Sequence, residues 1–263
     1  MFKISPYKAK VFQTCSRKYQ FEYVDRRPDL KKPKPYLTLG ENVHRALRDF
    51  FRFRPEIRSE ESLRTLLRNH WKSRRGASGG FVSEEQERSF QDKALRMLEG
   101  FLMSQDLQAR PVLTEDFYEM PLAQGLILNG RVDRADQEPD GTLSVLDYKT
   151  GRYDERYAGL ADAQLLAYAL LVEFKLKKRV SRVAYLYLDG SHQIETEPTP
   201  HSLEVTREEF IRTAGVIQQS EKDRAFQAQP NTLCPWCDYL SICPEAREES
   251  YQPAPLEVEA EEW

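Results

Sequence analysis

Asp133, Asp147 and Lys149 stand in the stretch Gly130 to Gly151, GRVDRADQEPDGTLSVLDYKTG, and their types suit water attack on a phosphodiester. Hard divalent cations take oxygen ligands, and one or two carboxylates plus substrate phosphate is the usual supply. A lysine beside them can hold the attacking water or stabilise charge building on phosphorus. Strand side chains alternate, so Asp147 and Lys149 share a face and Tyr148 takes the other. An Asp-x-Lys pair in a hairpin is also an ordinary surface ion pair, so the remainder of the chain has to decide.

Three further groups carry donor atoms. His44 lies beside the apolar stripe of a helix, where a neutral imidazole is either a structural residue or a metal ligand. Gln164 and Tyr168, at i and i+4, share one helix face and can act together. Cys15 stands far from Cys234, Cys237 and Cys243, which are spaced C-x2-C-x5-C. Such a cluster in a chain without secretory features points to a metal or an iron–sulfur centre. Four thiolates accept Zn²⁺ or a [4Fe–4S] cluster. The three-plus-one spacing favours iron–sulfur, and a pair of disulfides is the third option. Joining Cys15 to the C-terminal cluster would clip the two ends of the chain together.

The elements that must position these residues are legible from punctuation and period. Leu126 to Val132 and Leu143 to Tyr148 read as strands joined at Glu138-Pro139-Asp140-Gly141, with Phe117 to Leu122 a strand before them. Ser5-Pro6 caps a short helix, and Lys31 to Pro35 is a basic proline-rich loop. Leu39 to about Phe53 is an amphipathic helix, Ser59 to about Arg74 another, and Ser83 with Gln86 caps a helix running to about Asp106. Ala158 to Lys178 is a helix between two strands, the second being Val180 to Leu188; the crossover requires a partly parallel sheet. Gln193 to Glu197 is a strand, and Thr206 with Glu209 caps a helix to about Gln227. The expected fold is α/β: one domain over 1–249 with a helical insertion near 55–110, then an acidic, disordered tail over 250–263.

Net charge is −3 over 263 residues, yet residues 1–80 hold 20 Lys/Arg against 8 Asp/Glu and the rest 19 against 34. A basic first third beside an acidic remainder permits a nucleic-acid groove despite the overall sign. No apolar run nears the ~20 residues that span a bilayer, and the start lacks a signal-peptide core, so a cytoplasmic location without membrane contact is expected. No G-x4-GK[ST] phosphate loop is present.

Taken together, Gly40-x3-His44, Gly130-Arg131-Val132-Asp133-Arg134, Leu146-Asp147-Tyr148-Lys149-Thr150-Gly151, Gln164-x3-Tyr168 and the four cysteines resemble the motifs of the PD-(D/E)XK nuclease superfamily. They follow the order of its RecB-like, AddB-like branch, which carries an iron–sulfur staple, and cover nearly the whole chain. Asp147 stands where many relatives have glutamate. The resemblance implies a restriction-endonuclease-like core, a central mixed sheet flanked by helices. It implies that His44, Asp133, Asp147 and the Tyr148 main-chain carbonyl hold Mg²⁺ or Mn²⁺, with Glu115 a weaker addition. Asp133, Asp147, Lys149, Gln164 and Tyr168 would be catalytic, and Cys15, Cys234, Cys237 and Cys243 would hold the [4Fe–4S] cluster. Arg17, Lys18, Arg45 and Arg48, with Gln164 and Tyr168, would contact single-stranded DNA. The implied activity is exonucleolytic cleavage of DNA ends in repair, recombination or CRISPR adaptation. The alternatives are a non-catalytic DNA-binding scaffold of this fold and a structure-specific or RNA-directed nuclease. Without a phosphate loop, the chain is a stand-alone enzyme or works beside a helicase or repair chain.

Overall fold

The computed structural model describes residues 1–153 and 163–247, and among these six strands and seven α-helices place the residues singled out above. The described residues divide into two compact units, one formed by residues 1–32, 119–129 and 204–247, the other by residues 33–118 and 130–203.

Strand β1 (Phe2–Ile4) is followed by α1 (Pro6–Thr14) and the short α2 (Ser16–Tyr19). Ser5 caps α1 by accepting from the Lys8 amide at 3.1 Å. Helix α3 (Pro35–Arg52) starts earlier than the apolar period suggests, because Pro35 supplies the preset φ of a first helical residue. Helices α4 (Glu60–Trp71) and α5 (Glu84–Ser104) follow, opened by Ser59 and Ser83. Strands β2 (Pro111–Ala123), β3 (Leu126–Gln137) and β4 (Leu143–Arg152) come next. The turn between β3 and β4 uses Gly141 at φ 86°, a conformation L side chains resist.

Helix α6 (Ala163–Leu176) connects β4 to β5 (Val180–Asp189), followed by β6 (His192–Thr196), α7 (Pro200–Asp223) and the cysteine-bearing segment with its short 3-10 turns. The expected first turn of α6, 158–162, and the expected tail lie outside the described residues. Helix α7 begins before the expected cap: Thr199 and Ser202 form a reciprocal box (Ser202 amide to Thr199 Oγ1 3.0 Å, Thr199 amide to Ser202 Oγ 2.9 Å), while Thr206 is buried inside the helix. Both threonine–acidic and threonine–serine spacings satisfy the capping pattern, and the upstream one carries the extra turn.

The sheet is mixed. Strands β3 and β4 are antiparallel, β4 and β5 parallel, and β5 and β6 antiparallel, so β4–α6–β5 is the expected crossover. In the unit built on the N-terminus, β1 pairs in parallel with Leu126–Leu128 of β3. Helix α6 covers the face bearing Asp147 and Lys149. Helices α3 and α5 bury Val43, Leu47, Phe50 and Phe101 against Tyr148, Leu186 and Leu188 on the other face. Each large side chain so buried contributes about 1.5–3 kcal/mol. Gly130 decides how closely α6 lies: a Cβ there would stand 3.0 Å from both Leu171 and Tyr168.

Candidate active site

Asp133 and Asp147 are the next residues of β3 and β4 beyond the Arg134–Leu146 pair. Asp133 is 8% exposed and Asp147 4%. Such burial is costly for a carboxylate unless it is partnered. Asp133 Oδ2 accepts from the Tyr148 amide at 2.8 Å, and Oδ1 lies 3.3 Å from His44 Nδ1. Helix α3 delivers that imidazole to Asp133, its ring edge-on to Tyr148 at 5.8 Å.

Strand β2 adds Glu115. One ligand atom each from His44, Glu115 and Asp133 lies within 4.8 Å of the others, the arrangement a cation needs. Glu115 occupies φ 49°, left-handed backbone that a non-glycine residue adopts at a cost and that clusters at functional sites. Burial would hold the His44 imidazole below its usual range, but Asp133, Asp147 and Glu115 outweigh it and raise the pKa to about 9. Burial likewise pushes Asp147 up to about 6, with Lys149 opposing and Asp133 reinforcing the shift. Crowded carboxylates around a ring that favours its proton describe a site short of positive charge. A divalent cation would relieve it, so this donor set fits Mg²⁺ or Mn²⁺.

Lys149 Nζ lies 2.9 Å from Asp147 Oδ2, an ion pair with a largely buried carboxylate. Its Nζ donates to Gln164 Oε1 at 3.2 Å and stands 4.4 Å above the Tyr185 ring. Gln164 Nε2 donates to Asp147 Oδ1 at 3.3 Å and to Tyr168 Oη at 2.9 Å, so both α6 residues share one face at the lysine. Tyr185 was not singled out from the sequence. Its hydroxyl donates to Gln164 Oε1 at 3.3 Å, and its register opposite Asp147 puts it on the same face. Strand alternation offers that signal only once the pairing register is known. Arg134, inside the second motif, turns away: it is buried over the Phe51 ring at 3.9 Å and forks onto Asp136.

The four cysteines lie in the other unit and line one cleft, with an empty volume of about 600 Å³ including its open mouth. Arg17, Lys18, Phe21, Leu233 and Tyr239 complete its walls. None of the four is in a disulfide. Cys15 Sγ accepts from the Lys18 amide at 3.4 Å and Cys234 Sγ from the Asn231 amide at 3.3 Å. Near this cleft the Ser16 hydroxyl donates to the Gln227 carbonyl at 2.9 Å and Arg17 pairs with Glu245. Four sulfur donors around one cleft, two receiving amide hydrogens, fit a thiophilic group.

The basic residues separate. Arg17 and Lys18 line the cysteine cleft. Arg45 pairs with Glu41, and Arg48 binds Asp49 and Glu115 rather than projecting freely.

Comparison with known proteins bears on both the fold and the family. No curated protein matches the sequence. The fold is similar to the crystal structure of a candidate exonuclease from Eubacterium rectale, at TM-score 0.52 and 11% identity, covering 97% of this chain and 90% of that one. SSO0001 aligns over 80% of this chain and 95% of its own at 16% identity, with a TM-score of 0.38 that adds nothing to the assignment. No described helix is long and apolar enough to cross a membrane. The sequence profile of the PD-(D/E)XK nuclease superfamily matches residues 3–244, and the chain belongs to that superfamily.

Proposed function

We propose that this nuclease is a divalent-metal-dependent deoxyribonuclease of the RecB-like branch that shortens single-stranded DNA from an end. The observation that carries the reading is the gathering of His44, Glu115 and Asp133 ligand atoms within 4.8 Å of one another, with Asp147 paired to Lys149 on the neighbouring strand. His44, Glu115, Asp133, Asp147 and the Tyr148 carbonyl would hold Mg²⁺ or Mn²⁺, which when bound lowers the pKa of water and neutralises phosphate charge. Lys149 places an ammonium beside the scissile phosphate and stabilises negative charge developing there. Gln164, Tyr185 and Asp147 hold that ammonium in position, and Tyr168 anchors Gln164. Arg17, Lys18 and Arg45 make up the proposed DNA-contacting set; Arg48, engaged by Asp49 and Glu115, is not part of it.

The cysteine cleft would hold a [4Fe–4S] cluster that ties the chain's ends together, with Zn²⁺ the other occupant of a four-thiolate site. Repair, recombination or CRISPR adaptation is the proposed setting, with a helicase or repair chain supplying any motor.

Labelled single-stranded, duplex and RNA substrates, each with and without Mn²⁺, test the activity. Progressive shortening of single-stranded DNA that depends on Mn²⁺ and vanishes in Lys149→Ala supports it. Equal cleavage by Lys149→Ala, or cleavage that persists in chelator, refutes it. Iron, sulfide and zinc assays of the same preparation identify the group on the four thiols.

A further inference from the structure

Glu115 is held by an arrangement the proposed reaction does not use. Its carboxylate is largely buried and its Oε2 accepts from Arg48 Nη1 at 3.2 Å. The same guanidinium forks onto Asp49, Nε to Oδ1 at 2.8 Å and Nη2 to Oδ2 at 3.0 Å. Asp49 Oδ2 also lies 2.8 Å from His70 Nε2, and Arg52 is 3.6 Å from Oδ1. Three consecutive links therefore run from α4 through α3 to β2: His70 to Asp49, Asp49 to Arg48, and Arg48 to Glu115.

We infer that Arg48 is a positioning residue for Glu115, fixing one carboxylate oxygen so that the side chain faces the cation pocket shared with His44 and Asp133. The inference rests on the metal-dependent reading given above. Two effects compete at such a site. A guanidinium next to a ligand repels an incoming cation, but it also removes the rotamer freedom that a lone glutamate would lose on binding. The Asp49 fork decides between them. A bidentate carboxylate offsets the guanidinium charge, so Glu115 receives a directed hydrogen bond from a nearly neutral couple. Carboxylate ligands of metals are commonly oriented by such outer partners, and losing one costs about 10–100-fold in affinity. The backbone at Glu115 gives the brace a purpose, since left-handed geometry persists only where its surroundings over-determine it.

Mn²⁺ affinity, measured by calorimetry and electron paramagnetic resonance on the full chain, tests this without reference to turnover. Arg48→Ala should weaken Mn²⁺ binding roughly tenfold or more. Asp49→Asn, which frees the fork but keeps the side-chain shape, should weaken it in the same direction. Arg48→Lys should restore little, because an ammonium cannot make the planar fork. Binding of single-stranded DNA in chelator should change little in all three. Unchanged or tighter Mn²⁺ binding by Arg48→Ala overturns the inference. So does a drop in metal-free DNA affinity with unchanged Mn²⁺ affinity, the signature of a phosphate contact. Glu115→Gln separates the two levels. If it weakens Mn²⁺ binding while Arg48→Ala does not, only the positioning role fails. If Glu115→Gln has no effect, or the wild type binds no Mn²⁺, the metal reading at this residue fails with it.

Discussion

In the metal-free protein, raising the pH from 7 to 8.5 should remove roughly 2 kcal/mol of stability through His44 alone. The imidazole lies 3.3 Å from Asp133 Oδ1, and the carboxylates around it lift its pKa from 6.5 to about 9. A group whose folded pKa is raised contributes stability fully below its unfolded pKa and loses it as pH climbs through the folded value. At about 1.4 kcal/mol per pH step, the full contribution is about 3 kcal/mol, and most of the loss falls between pH 7 and 9. Asp147 works in a separate window. A carboxyl raised from 3.8 to about 6 costs stability as pH rises between those values, and has finished doing so before His44 starts to titrate. Urea denaturation in chelator, reported by Trp71 packed on Phe81, reads the effect as the difference between wild type and His44→Asn. That difference should shrink by roughly 2 kcal/mol from pH 7 to 8.5. Saturating Mn²⁺ should invert the trend, because a ligating imidazole must first lose its proton. Its apparent affinity should rise roughly tenfold per pH unit over the same range. Parallel pH curves for the two proteins without metal, or a His44 proton signal that titrates at or below 6.5, would refute the argument.

Asp133→Asn should lower kcat by at least about 100-fold while leaving the far-ultraviolet spectrum unchanged, since a carboxylate that meets both His44 and the Tyr148 amide is reduced to a neutral partner. Tyr185→Phe keeps the ring beneath Lys149 and should cost only a few-fold in kcat, whereas Tyr185→Leu also removes the cation–π contact and should cost roughly tenfold; equal effects would show that the ring plays no part. Gly130→Ala forces a methyl to 3.0 Å from Leu171 and Tyr168, so a thermal melt should report about 1–3 kcal/mol of destabilisation, with activity falling as Tyr168 shifts. Cys237→Ala should release the group proposed for the four thiols, read as lost iron or zinc, and lower the melting temperature of the unit that contains the cysteines.

Alternation and spacing in the sequence were sufficient to place Asp147 and Lys149 on one face, to pair Gln164 with Tyr168, and to foresee a mixed sheet around a β–α–β crossover. These features depend on neighbours a few residues apart, where strand and helix periods dictate geometry before any tertiary contact forms. Tyr185, Arg48 and the start of α7 were a different matter. Tyr185 meets Lys149 only because β4 and β5 align in one parallel register, and register is chosen by the packing of both sheet faces rather than by either strand. Arg48 looked like one member of a basic helix face. Folding brought Asp49, His70 and Glu115 around it from α3, α4 and β2, turning a charge on a helix into a brace on a carboxylate. Composition named the donors, and the tertiary structure decided which of them meet, because long-range hydrogen bonds and ion pairs are set by how the helices and the sheet pack rather than by residue order.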